Sequence, residues 1–123
     1  MLEVYGTNIA LAADTPINFN NTSIKKGCTV ELGSPATIQL NKCGVYMVEF
    51  DASLAAAGTI QMYKDGIAQP QAQSTGTSPS FTTLVQVDRN NNGCCCSSPV
   101  NLQFIPDAVG TATNANVVVT KVC

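Results

Sequence analysis

Lys42-Cys43-Gly44-Val45-Tyr46-Met47-Val48-Glu49-Phe50-Asp51-Ala52-Ser53-Leu54 is the stretch whose reading decides the fold. From Gly44 it alternates strictly. Tyr46, Val48, Phe50, Ala52 and Leu54 point one way; Val45, Met47, Glu49, Asp51 and Ser53 point the other. Successive side chains of an extended chain face opposite sides, whereas a helix repeats near 3.6 residues, so this period predicts a β-strand. The first set is wholly apolar and suits a core. The second mixes apolar side chains with two carboxylates, which suits neither plain core nor plain solvent surface and points to a contact between subunits.

The same alternation recurs on both sides. Upstream, Cys28–Leu32 and Thr37–Leu40 flank the turn residues Gly33-Ser34-Pro35 and read as a hairpin. Leu2–Tyr5 and Asn8–Leu11 read as two short pieces, edge strands or an arm spanning residues 1–14, and Ile17 and Phe19 alternate around Asn18. Downstream, Ala55–Gly58 reads as a loop. Thr59–Tyr63 reads as a strand that ends in Asp65-Gly66, a pair suited to the positive φ angles of a type I′ hairpin turn. Ile67–Gln73 returns, Ser74–Ser80 is a loop, and Phe81–Val87, Val100–Ile105 and Asn116–Val122 complete the strands. About eight to ten short strands with regularly spaced turns and no convincing helix predict one all-β domain over residues 1–123, a sandwich or jelly roll of two antiparallel sheets.

Composition narrows the function. The chain has 123 residues, a net charge of −2 and only 11 % charged residues, against ~25 % in ordinary globular domains. A weakly acidic chain without a basic cluster does not attract nucleic acid or anionic lipid electrostatically. No apolar stretch approaches the ~20 residues needed to span a bilayer as a helix. Leu2–Leu11 contains Glu3 and lacks the basic start of a secretory signal, so the chain is expected to fold in a reducing cytoplasm.

Ile38-Gln39-Leu40 followed by Lys42–Phe50 resembles the signature of the globular heads of complement-like and tumour-necrosis-factor-like jelly rolls, an apolar strand and then Gly-(Val/Ile/Leu)-Tyr opening an alternating strand. Ile60–Gly66 resembles that family's hairpin, and Asn116–Val122 its closing Val-rich strand. The likeness covers roughly residues 15–122. The run Asn90-Asn91-Asn92-Gly93-Cys94-Cys95-Cys96-Ser97-Ser98-Pro99 resembles a pattern of small structural proteins of gut phages and prophages. The resemblance implies a homotrimer whose opening and closing strands face the threefold axis, with Val45, Met47, Glu49, Val117 and Val119 at the interface. It departs from the family in having no collagen-like Gly-X-Y stalk before the head.

Chemistry-bearing constellations are scarce. Without histidine, Ser–His and Cys–His nucleophilic arrangements cannot form within one chain. Glu31, Glu49 and Asp51 sit in strands with nothing to set two of them across a cleft, and there is no tryptophan to stack a sugar. No enzyme and no cofactor is therefore expected. Cys94, Cys95 and Cys96 lack the spacing by which two thiolates grip one zinc. Three sulfurs meeting on a threefold axis, disulfides between subunits, and free thiols in a crowded turn all remain open, with the last favoured. Cys28 and Cys43 would be diagonal neighbours across the hairpin at ~7 Å, at the limit for a bridge, and free thiols are favoured for both.

The expectation is a non-enzymatic structural protein of a bacteriophage particle, a trimeric head decoration or fibre tip whose partners are its own copies and capsid or tail proteins. The alternative is a head that binds a receptor, host-surface glycan or mucin through Ala55–Gly58, Ser74–Ser80 and Pro106–Thr113.

Overall fold

The computed structural model describes residues 1–26, 30–34, 36–87 and 100–122. Those residues form ten strands and no helix. In chain order they are β1 (Leu2–Leu11), β2 (Asn21–Lys25), β3 (Val30–Ser34), β4 (Thr37–Leu40), β5 (Gly44–Leu54), β6 (Gly58–Lys64), β7 (Ile67–Gly76), β8 (Ser80–Val87), β9 (Val100–Pro106) and β10 (Gly110–Lys121). Sheet A runs β2-β1-β10-β5-β8 and sheet B runs β3-β4-β9-β6-β7, five strands each, with every pairing antiparallel.

The strand that opened the sequence reading lies inside sheet A, between β10 and β8. Its first face, Tyr46, Val48, Phe50 and Ala52, is buried. The core between the sheets is aliphatic apart from Tyr46 and a phenylalanine cluster that uses every phenylalanine of the chain. Phe50 stacks on Phe104 of the opposite sheet (centroids 5.1 Å apart) and on Phe81 (5.2 Å), while Phe19 meets Phe104 edge-on at 6.0 Å. Each fully buried side chain of this size contributes about 1.5–3 kcal/mol by leaving water. Tyr46 is wholly buried and its hydroxyl donates to the Lys42 carbonyl at 2.5 Å, so the ring fills the core without leaving its polar end unpaired.

β1 is one strand, not two pieces, and it is neither an edge nor an arm: it pairs with β10 on one side and β2 on the other. Its inward residues are Leu2, Val4 and Gly6 and then Ile9 and Leu11, so the facing flips at Thr7-Asn8, where Asn8 has φ 51°. β10 flips beside it, from Ala112 to Ala115, so the β1–β10 ladder continues in register through the kink. A side chain at Gly6 would meet Ile9 Cδ1 at 2.5 Å, which is why the position carries none. Beyond β1 the chain crosses to sheet B, where Asp14 N–H and Ile17 N–H donate to the carbonyls of Pro106 and Phe104, and Ile17 and Phe19 close that side of the core.

Asp65-Gly66 forms the expected hairpin turn between β6 and β7, with φ 51° and 81°. β7 runs on to Gly76, so Ser74–Gly76 belongs to the strand rather than to a loop. β10 begins at Gly110, six residues before the expected start of the closing strand. The strands fix the polarity of the sandwich. Leu2 pairs with Val119 and Val122 N–H donates to Val45 O, so the start of β1 and the end of β10 meet at the end of the sandwich where β5 begins. The turns at 55–57, 77–79 and 107–109 gather at the other end.

Candidate functional site

The second face of β5 looks away from the core, and the neighbouring strands extend it into a continuous surface. Met47 lies opposite Leu84 of β8 on one side and Thr120 of β10 on the other. In the next row Val118 stands between Glu3 of β1 and Glu49 of β5, and Glu49 faces Thr82 of β8. The row after that reads Tyr5, Asn116, Asp51, Ser80. Val45, Met47 and Val118 are half-buried, while Leu84 is 61 % exposed in the protomer. An alternating strand normally turns polar side chains outward; here four apolar ones share a sheet face whose reverse side is already filled.

The carboxylates on this face differ. Glu3 accepts from Ser23 Oγ at 2.5 Å and from Asn116 Nδ2 at 3.4 Å. Glu49 and Asp51 are exposed and have no hydrogen bond or ion pair among the described residues. The one ion pair among those residues, Lys25–Glu31 at 3.7 Å, ties β2 to β3 at the rim of the sandwich.

At the far end, Ala56–Ile60 and Pro106–Thr111 line a shallow depression of about 30 Å³, and Val109 beside it is 82 % exposed. The Asp107 carboxylate accepts from Thr59 N–H at 3.0 Å and so is committed to the fold. The three expected recognition loops do come to one end, since Leu54 N–H donates to Thr77 O and Gly58 pairs with Gly76.

Set against solved structures, this arrangement matches the globular domain of a zebrafish complement 1qA protein with a TM-score of 0.77 at 10 % identity, covering 99 % of this chain and 96 % of that one. It matches murine APRIL with a TM-score of 0.60 at 12 % identity, covering 98 % and 97 %, and rabbit GITRL with 0.59 at 11 % identity, covering 94 % of each. The chain has the jelly-roll fold of these complement-like and tumour-necrosis-factor-like heads. No protein-family model matches the sequence, and neither does any curated protein. Identity this low shows the fold and leaves partners to be argued from the surface.

Within the jelly roll, the expected interface residues separate into two groups. Val45, Met47 and Glu49 point outward from sheet A. Val117 and Val119 do not: both are wholly buried in the protomer, opposite Val4 and Phe50 and opposite Leu2 and Val48. The valine that reaches the outer face is Val118. A run of three valines has no period, so only pairing with β1 and β5 fixes which one turns out. Leu84 and Val118 went unassigned in the sequence, although Leu84 falls at an outward position of the alternating Phe81–Val87 run and was legible there.

The jelly roll brings no three potential metal ligands together among the described residues. Cys43 is a half-buried free thiol just before β5. Cys28, Cys94, Cys95, Cys96 and Cys123 lie outside the described residues, as does the Asn90–Pro99 run.

Proposed function

We propose that this chain is a non-enzymatic structural head that assembles as a homotrimer through the outer face of sheet A. The observation that carries the reading is the apolar group Val45, Met47, Leu84 and Val118 on a sheet face that the protomer's own core does not use. Contiguous apolar surface of this kind marks sites of association, and obligate interfaces are more apolar than ordinary surface. Sedimentation equilibrium tests it. The wild-type chain is expected as a trimer at micromolar concentration, and Met47→Lys as a folded monomer. A monomeric wild type, or a Met47→Lys variant that assembles normally, overturns it.

A place on a phage particle, in association with capsid or tail proteins, is the setting we propose for this head. It is supported by the low charge of the chain and by the likeness of Asn90–Pro99 to small phage structural proteins. Co-sedimentation with capsids or tails tests it. A second reading, adhesion to a glycan or other host-surface receptor, is favoured by the exposed Val109 at the depression between Ala56–Ile60 and Pro106–Thr111. Cell or glycan binding by the isolated head, lost in Val109→Asp, would select it.

A further inference from the structure

We propose that the end of the sandwich where β5 begins is a docking surface for an acidic protein. The fold gathers there what the sequence scatters. The five lysines stand at positions 25, 26, 42, 64 and 121, so no long stretch of chain reads as basic. Strand pairing brings all five to one end. Lys25 lies opposite Leu2, the first residue of β1, and Lys26 N–H donates to Met1 O. Lys42 precedes β5, and Lys121 lies opposite Tyr46 near its start. Lys64 closes β6, and its Nζ donates to Gln86 O at 3.0 Å, where Gln86 lies opposite Val45. No described lysine or arginine stands at the other end, where the turns carry Asp14 and Asp107. A chain of net charge −2 is therefore polarised along its strands, and its positive end is the complement of a negative surface.

The described carboxylates at this end are engaged within the protomer. Glu31 pairs with Lys25, Asp65 accepts from Asn101 N–H, and Glu3 accepts from Ser23 and Asn116. Lys26, Lys42 and Lys121 are exposed and form no ion pair among the described residues. Two exposed isoleucines stand beside lysines: Ile24 precedes Lys25, and Ile67 lies opposite Lys64. That mixture selects the kind of partner. Duplex DNA presents a negative charge about every 1.7 Å, and so continuous a polyanion would meet Glu3, Glu31 and Asp65 as well as the lysines. A protein surface spaces its carboxylates among apolar side chains, which suits lysines and isoleucines set among carboxylates. The lysines stand at strand ends rather than among Val45, Met47, Leu84 and Val118, so this surface is separate from the proposed trimer contact.

Fluorescence anisotropy on the full chain at pH 7.5 tests this, with a labelled random copolymer of glutamate and tyrosine as the acidic, partly apolar polypeptide. Circular dichroism confirms that each variant is folded. Wild type is expected to bind at about 50 mM NaCl and more weakly at about 500 mM, because salt screens exposed charges. Lys26→Gln/Lys42→Gln removes two exposed charges and keeps the Lys42 carbonyl that holds Tyr46. It is expected to bind about fivefold more weakly, the scale of two exposed ion pairs. Ala57→Glu/Ala108→Glu changes the net charge by the same amount at the opposite end and is expected to stay within about twofold of wild type, as distant exposed charges are screened. Equal losses in the two variants would show that net charge alone acts and overturn the docking surface. So would a wild type that fails to bind the copolymer, or one that binds duplex DNA or phosphatidylserine vesicles more tightly than the copolymer.

Discussion

Asp65 replaces its own backbone carbonyl with its side chain to hold Asn101. The Asp65 N–H donates to Asn101 O at 2.8 Å, and Asn101 N–H returns a bond to Asp65 Oδ1, also at 2.8 Å. Asp107 does the same at the other end of the β6–β9 pair, where its N–H donates to Thr59 O and its Oδ1 accepts from Thr59 N–H, both at 3.0 Å. Each carboxylate lets the ladder make one more pair while the chain is already turning away. Sheet B is thus fastened at both ends of its middle by two aspartates.

Replacing Asp65 by alanine should therefore cost more than replacing Asp107. Both lose a charge-assisted bond at an exposed site, on the order of 0.5–2 kcal/mol. Asp65→Ala also places alanine at φ 51°, a left-handed conformation that costs about 1 kcal/mol more for residues other than Gly, Asn and Asp. Asp65→Asn should recover most of the loss, because asparagine tolerates that φ and its amide oxygen can accept. Urea unfolding of the three variants checks the ranking; an Asp65→Asn as damaged as Asp65→Ala would refute the account.

Tyr46→Phe isolates a single hydroxyl. The ring stays in the core, but the bond to the Lys42 carbonyl is lost, at a cost of about 1–2 kcal/mol. Tyr46→Ala should cost about 3–5 kcal/mol through the cavity it opens. A Tyr46→Phe melt indistinguishable from wild type would mean that water replaces the bond without loss.

The phenylalanine stack predicts an order as well. Phe104 is buried and meets Phe19, Phe50 and Phe81, so Phe104→Ala should lose about 3–5 kcal/mol. Phe81 is only half-buried, and Phe81→Ala should lose less. Equal losses at the two positions in chemical denaturation would argue against the stack as the bond between the sheets.

Gly6 and Ile9 should be coupled. Gly6→Ala drives a methyl against Ile9 Cδ1, and overpacking of this sort costs about 1–3 kcal/mol. Ile9→Val removes the Cδ1 atom, so Gly6→Ala should be cheaper in that background. A double-mutant cycle measures the difference; strictly additive effects would place the strain elsewhere, for instance against Asn18 O at 3.3 Å.

These residues also mark where the sequence was readable. Gly44–Leu54, Phe81–Val87 and Val100–Ile105 keep one alternation from end to end, and each is a strand whose buried residues follow it. Asp65-Gly66 announces its turn because few residues accept its backbone angles. β1 was unreadable as one strand because its facing flips at Thr7-Asn8, which makes a continuous ladder look like two pieces. Gly110–Ala115 has the composition of a loop and becomes a strand because β1 and β5 supply partners on both sides. The outward face of the valine run depends on those same partners, so the apolar outer face of sheet A was half visible: Val45 and Met47 follow from local alternation, Val118 only from tertiary pairing.

The meeting of the two chain ends beside the start of β5 has a topological consequence. β1 and β10 lie side by side in the middle of sheet A, although they are the first and last strands of the chain. Among the described residues their pairing is the longest-range contact in sequence, and closing so large a loop is a slow step for a β-protein. A circular permutant that joins the ends by a short linker and opens the chain in the 77–79 turn would convert that pairing into a local hairpin. It should fold faster than the parent while keeping the same two sheets.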